Sequence, residues 1–137
     1  MTSVEARAQL LLDPLRAIPD PHERLTAITG RSTPVQILPA EERTETRRVS
    51  GCVSRVWLAG AVQGGRLHLQ VAAESVMVRS LVELLCEVYD QLPACEIQGT
   101  ELDFAGRLDL RGLLSPTRLH GLEALQQRIL LWTENAC

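Results

Sequence analysis

The N-terminal part of the chain has apolar side chains at the three- and four-residue spacing of a helix. They are Val4, Ala8, Leu11, Leu15 and Ile18. Pro14 interrupts the series, and because proline cannot donate a main-chain hydrogen bond, two short helices are predicted with a break after Asp13. A further helix is predicted to begin after the capping residue Asp20, with Pro21 at its first position, and to end at Gly30.

The middle of the chain changes to the alternating pattern of strands. Residues 31–48 contain two prolines and mixed charges, which predict a surface loop. Apolar and polar residues alternate through Leu67–Val71, and Gly64-Gly65 separates this run from Val53–Val62, as is typical of a β-hairpin. A second turn before Val53 would add Arg47–Ser50 as another strand, so the prediction is a three-stranded antiparallel sheet.

The helical period returns in the last part of the chain. The segment SVMVRSLVELLCEVYDQL has one broad apolar face, which predicts a helix that covers the sheet and ends before Pro93. Residues 94–114 show no period, and Ser115 and Pro116 have the residue types that begin a final helix. The predicted fold class is α+β, with the small antiparallel sheet packed against helices in a single domain over residues 1–137.

Composition argues against several classes of partner. The net charge is −3, so the chain has no basic surplus to attract nucleic acid or an anionic membrane. Aromatic residues make up 3% of the chain, too few to stack single-stranded bases. No apolar run approaches the roughly 18 residues of a membrane span, and the first residues lack a signal-peptide pattern. The expectation is a cytoplasmic protein with neither nucleic acid nor a membrane as partner.

The cysteines and basic residues limit the cofactors that the chain can hold. Cys52, Cys86, Cys95 and Cys137 form no CxxC pair and no regular framework, which predicts free thiols and no metal site. Every basic residue is an arginine, so no lysine is present to form a Schiff base with pyridoxal phosphate. No resident cofactor is expected.

Cys52 is the candidate reactive residue, because it follows Gly51 at a turn just before the Val-Trp-Leu strand. The nucleophile in sulfur transfer is a thiolate, and at an ordinary pKa near 8.5 only a few per cent of a cysteine is ionised at neutral pH. The nearby guanidinium groups of Arg47, Arg48 and Arg55 could favour the thiolate, and Ser54 could donate a hydrogen bond to the sulfur.

Structural interpretations fit most of the other candidates. Cys86 lies in the apolar face of its predicted helix, where a free cysteine packs as a small hydrophobic residue. Cys95 and Cys137 are interpreted as incidental thiols. His68 and His120 are the candidates for a general base, but nothing in the sequence places either beside the reactive turn.

Three stretches together resemble one family. RVSGCVSRVWL is similar to the Gly-Cys signature of the SufE/CsdE sulfur acceptors, SVMVRSLVELLCEVYD looks like that family's central helix, and LSPTRLHGLEAL looks like the opening of its final helix. The resemblance covers nearly the whole chain. It implies a SufE/IscU-like fold and identifies Cys52 as the cysteine that accepts sulfur.

The resemblance implies a function and two partners. A pyridoxal-phosphate cysteine desulfurase would form a persulfide, and Cys52 would take its outer sulfur, stimulate the desulfurase and deliver the sulfur to an iron–sulfur scaffold complex. Gly51 and Ser54 would orient the reactive turn. Arg118 and Gly121 would bind the desulfurase, with the arginine pairing with an acidic side chain and the glycine allowing close approach. The absent lysine agrees with a cofactor that belongs to the partner.

The chain departs from the family pattern at Ser80, at His120 and in the interruption of its N-terminal helix by Pro14, and two other classes of function stay open. Ser80 stands where glycine is frequent, and His120 stands where Asn or Gln is usual, which leaves the choice of partner undetermined. An iron–sulfur or zinc scaffold would use Cys52 with Cys86 or Cys95 and a histidine or aspartate. A thiol reductase or peroxidase would use Cys52 with Cys137 as the resolving thiol.

Overall fold

The computed structural model of the chain describes residues 2–50 and 54–136. The helices are α1 Ser3–Leu11, α2 Asp13–Arg16, α3 Pro21–Thr29, α4 Val76–Tyr89, α5 Ala94–Ile97, α6 Phe104–Arg107 and α7 Pro116–Leu131. The strands are β1 Gln36–Ile37, β2 Val56–Gln63 and β3 Arg66–Ala73. Short 3₁₀ helices occupy Ala40–Glu42 and Glu45–Arg47.

The N-terminal helices follow the predicted signals. The break between α1 and α2 falls at Leu12 and not after Asp13 as predicted, because Pro14 fits the first turn of α2, where its missing N–H leaves no helical bond unmade. The Oδ1 of Asp20 accepts a hydrogen bond from the N–H of His22 at 3.0 Å and caps α3, and Gly30 ends that helix.

The sheet is mixed, so the prediction of an antiparallel sheet is wrong for one of its strands. Strands β2 and β3 pair antiparallel as a hairpin across Gly64-Gly65, where both residues have the positive φ of 59° and 77° that a tight two-residue turn requires. Strand β1 lies on the other side of β3 and pairs with it in parallel.

The predicted strand Arg47–Ser50 does not form. Part of it is 3₁₀ helix, and its contact with β2 is a single bridge from Arg48 to Trp57 together with a hydrogen bond from the N–H of Val49. The third strand of the sheet is instead β1, which lies within residues 31–48, the predicted loop. Burial of Leu38 just after β1 fixes the strand there, and the flanking prolines keep it short.

The core lies between the sheet and the helices. The inward side chains of β2 and β3 pack with α4, whose buried residues include the fully buried Leu84, Leu85 and Cys86. A smaller cluster of Leu38, Trp57 and Ala72 lies on the outer sheet face. Within the part of the chain that is described, no helix has the length and apolar character needed to cross a membrane.

The close contact between Gly60 of β2 and Trp132 gives a stability prediction. A Cβ at residue 60 would lie 2.6 Å from the Cε3 of Trp132, so Gly60→Ala is expected to lower the free energy of unfolding by about 1–3 kcal/mol. Urea denaturation measures the change. Gly112→Ala is the matched control, because nothing lies within 4 Å of a Cβ there, and equal stability of the two variants would contradict the prediction.

Candidate functional site

A groove of about 340 Å³ lies between α4 and the beginning of α7. Its walls are mostly apolar, and polar groups from α7 and from Ser54 complete it. The lining residues are Ser54, Val78, Leu81, Val82, Ser115, Thr117, Arg118, Gly121 and Leu122. The groove therefore brings three of the predicted site residues, Ser54, Arg118 and Gly121, to one surface.

The α7 side of the groove begins with a well-defined cap. The Oγ of Ser115 accepts a hydrogen bond from the N–H of Arg118 at 3.2 Å, and Pro116 occupies the first helical position with its φ already fixed. Gly121, one turn further, is buried. The first turns of α7 thus form a fixed wall along which the exposed Arg118 side chain projects.

Arg118 is a cation without an acidic partner in the described structure. Its Nη1 lies 4.0 Å from the Sδ of Met77. Among residues 2–50 and 54–136, no carboxylate lies within salt-bridge distance of its guanidinium group. The two acids that could have paired with it in sequence have other partners, since Asp109 contacts Arg16 at 3.8 Å and Glu123 contacts Arg111 at 4.0 Å. The guanidinium group is available to an external acid.

The segment that leads into and out of the predicted reactive turn is held on both sides. The N–H of Val49 donates to the carbonyl of Val56 at 2.8 Å, and the N–H of Glu74 donates to the carbonyl of Arg55 at 3.1 Å. Ser54 is half-buried and lines the groove. Cys52 and Gly51, the predicted acceptor and its turn residue, lie outside the described residues.

The arginines near the turn are engaged with acids. Arg55 lies 3.7 Å from Glu74, and Arg48 lies 4.0 Å from Glu45, both on the surface. Arg47 likewise lies 3.8 Å from Glu42. These pairs offset part of the positive charge that the sequence places near Cys52.

Neither histidine candidate lines the groove. The ring of His68 contacts the side chain of Gln91 at 2.9 Å and the carbonyl of Gln63 at 3.2 Å, next to the hairpin turn. His120 is exposed on α7 and is not among the residues that line the groove. Ser80, the other departure from the family pattern, is buried where its hydroxyl donates to the carbonyl of Val76 at 3.0 Å.

The remaining cysteines do not assemble a metal site in the described structure. Cys86 is fully buried, and its burial raises the pKa of its thiol far above the usual range, which keeps it protonated and inert. Cys95 is disulfide-bonded, so the prediction that all four thiols are free is wrong for this residue. Its Sγ lies 3.6 Å from the carbonyl oxygen of Ala136, which places the end of the described chain against α5. Residues 2–50 and 54–136 contain no cluster of histidine, cysteine and acidic side chains fit for a metal ion.

The apolar wall of the groove is the part of the site that the sequence did not distinguish. Val78, Leu81, Val82 and Leu122 fall on the inward faces of their helices, and helical spacing cannot separate a side chain in the core from one that lines an open groove.

Comparison with known proteins agrees with this geometry. The family model described as "SufE: Fe-S metabolism associated domain" matches residues 9–131. The chain is 32% identical to the sulfur acceptor protein CsdE of Escherichia coli, over 88% of this chain and 82% of that one. It is 31% identical to an uncharacterized SufE-like protein of Rhizobium meliloti, over 67% of this chain and 69% of the relative.

The fold also has a solved counterpart. The solution structure of a hypothetical protein from Thermus thermophilus has a TM-score of 0.76, covers 95% of both chains and is 21% identical, so it supports the fold alone. An α+β domain with a small mixed sheet and a groove between its central and final helices is the class that these observations define. The chain belongs to the SufE family.

Proposed function

We propose that this protein is a sulfur acceptor and carrier that receives sulfur on Cys52 from a pyridoxal-phosphate cysteine desulfurase. The observation that carries the proposal is the groove, in which an apolar pocket, Ser54 (two residues after Cys52 in sequence) and the unpaired Arg118 occur together. Membership of the SufE family and the similarity to a named sulfur acceptor support the same function. The acceptor is an accessory protein, since the chemistry that releases sulfur from cysteine takes place on the partner.

The transfer step conserves atoms and electrons. The Cys52 thiolate attacks the terminal sulfur of a persulfide on the desulfurase, a new S–S bond forms at Cys52, and the old S–S bond breaks. The partner's cysteine leaves as a thiolate, and the single proton that remains goes to whichever sulfur is more basic. No external oxidant or reductant takes part, and this chain needs no resident cofactor. The sulfur then passes to an iron–sulfur scaffold complex by the same exchange.

The groove suits the protection of a persulfide. A persulfide is lost by reaction with small thiols and water, and an apolar pocket slows both reactions by excluding polar molecules. The same surroundings raise the pKa of a thiol, so a shielded acceptor reacts slowly until a partner draws it out. Gly51 gives the backbone freedom that such a movement requires.

The rim of the groove suits a docked partner. Arg118 presents five donors in a planar fork, a geometry that holds a carboxylate through two hydrogen bonds. Gly121 is buried but lines the groove, and its lack of a side chain leaves room there for a partner group that enters. We therefore assign Arg118 and Gly121 to the desulfurase contact, with an acidic side chain of the desulfurase as the group that Arg118 binds.

Desulfurase stimulation tests the proposed function. The protein is titrated into candidate cysteine desulfurases with cysteine as substrate, and alanine formation is followed with a fixed, limiting amount of reductant. A sulfur acceptor increases the rate in a saturable manner, because it removes the persulfide that otherwise blocks the next turnover. Failure to stimulate any desulfurase encoded with it would count against the proposal, and stimulation by one of them identifies the partner.

The apolar wall gives a second test of the carrier function. Val78→Ser places a hydroxyl in the groove, so the persulfide on Cys52 is expected to be reduced severalfold faster by a small thiol, because water and reductant enter more readily. Persulfide decay is followed by quenching with an alkylating agent and mass spectrometry. Val62→Ser, on the exposed part of β2, is the matched control. Equal decay rates in both variants would show that the groove does not shelter the sulfur.

A further inference from the structure

The guanidinium group of Arg128 binds the main chain of the segment that leads to Cys52. Its Nη1 donates to the carbonyl of Arg48 at 2.8 Å, and its Nη2 donates to the carbonyl of Thr46. Arg128 lies in the last turn of α7, whereas both carbonyls lie some eighty residues earlier in the chain. The described structure gives Arg128 no carboxylate partner within salt-bridge distance, so its hydrogen bonds go to backbone.

The other side-chain hydrogen bonds of residues 38–48 are local. Arg47 donates to the carbonyl of Glu42 at 3.0 Å, and Arg43 donates to the carbonyl of Leu38 at 3.0 Å, so both bind within the segment itself. Among the described residues, Arg128 is the side chain from outside the segment that hydrogen-bonds its carbonyls. It connects the segment to α7 directly.

These contacts define where the chain is fixed on the approach to the reactive turn. Arg128 holds residues 46–48. Immediately afterwards, the N–H of Val49 donates a hydrogen bond to the carbonyl of Val56 and so joins the chain before Cys52 to the chain after it. Cys52 follows within a few residues of that bond in sequence. The same helix, α7, carries Gly121 and Arg118 on the groove, about 10 Å and about 15 Å along its axis from Arg128. One helix therefore carries both a wall of the groove and the side chain that holds residues 46–48.

We propose that Arg128 is a positioning residue for sulfur transfer, which fixes residues 46–48 on α7 and so sets the place from which the chain continues toward Cys52. The inference rests on the proposed function and adds a residue to it. Residues 46–48 are then already ordered when the protein docks on its partner, so less conformational entropy is lost on binding. A guanidinium group can donate to two carbonyl oxygens at once. This explains why an arginine stands at a position where it has no acid to pair with.

The test compares Arg128→Met, Arg128→Lys and the control Arg16→Met, whose arginine makes a surface contact to Asp109 at 3.8 Å. The protein concentration for half-maximal desulfurase stimulation is expected to rise about tenfold in Arg128→Met, while the saturating rate stays within about twofold. The reason is that the variant loses the conformational entropy of residues 46–48 when it docks, before sulfur is transferred. Arg128→Lys, which keeps the charge but has one nitrogen, is expected to fall between the wild type and Arg128→Met. The control is expected to match the wild type.

Amide hydrogen exchange supplies a readout that needs no desulfurase. The Val49 amide is expected to exchange about tenfold faster in Arg128→Met, with little change in the core amides of α4. Unchanged exchange at Val49 overturns the proposal, and so does an unchanged half-maximal concentration in a folded variant or a uniform loss of stability throughout the protein. A wild-type protein that accepts no sulfur is a failure of the proposed function itself, and the wild-type titration detects that outcome separately.

Discussion

Replacing Cys52 by serine is expected to abolish sulfur acceptance and desulfurase stimulation while leaving the protein folded. A hydroxyl cannot form a persulfide and is not ionised at neutral pH, so no step of the transfer remains possible. With cysteine carrying labelled sulfur as substrate, the Cys52→Ser protein is expected to carry no reductant-sensitive label on a non-reducing gel. Circular dichroism and thermal unfolding check that the fold is kept.

The matched control changes two other cysteines. Cys95→Ser combined with Cys137→Ser is expected to keep sulfur acceptance, with any effect confined to stability because Cys95 is disulfide-bonded. Cys86 stays in place in both proteins, since it is fully buried and its pKa is raised. Loss of acceptance in the double variant, with Cys52 intact, would point to a resolving thiol and so to the reductase or peroxidase alternative.

Replacing Arg118 by alanine is expected to weaken desulfurase binding by about thirtyfold or more, because removing one partner of a desolvated, hydrogen-bonded charge pair costs about 2–5 kcal/mol. The melting temperature is expected to change little, since Arg118 is exposed and makes no salt bridge in the described structure. Calorimetric titration gives the affinity, and thermal unfolding gives the stability. Arg118→Lys is expected to recover only part of the affinity because an ammonium lacks the planar fork.

Arg16→Ala is the control for the loss of one positive charge. It removes an exposed arginine that does not line the groove, so desulfurase affinity is expected to stay close to that of the wild type. If Arg118→Ala binds as tightly as Arg16→Ala, or if its loss of binding follows a loss of folding, Arg118 has a structural role and the docking surface lies elsewhere.

Local signals explain how much of the fold was predictable. The caps at Asp20 and Ser115 and the Gly64-Gly65 turn determine nearby backbone through short-range hydrogen bonds and φ values, so the sequence shows them directly. Strand β1 is different. It pairs with β3 over a long separation, its two residues show no alternation, and its position depends on the burial of Leu38.

The candidate site divides in the same way. Its chemical residues could be proposed from motif and resemblance, and the structure brings Ser54, Arg118 and Gly121 to one groove. The groove itself requires the packing of α4 against α7, which sequence periodicity does not contain. The anchoring of residues 46–48 by Arg128 joins positions 80 and 82 residues apart, and no local pattern records it.

The most direct test is the mass of the intact protein after incubation with its desulfurase and cysteine, followed by peptide mapping. The wild-type chain is expected to gain one sulfur atom or a small number of them, all removed by reductant and all located on the peptide that contains Cys52. A chain that gains no sulfur, or that carries the sulfur on a peptide without Cys52, would contradict the central claim.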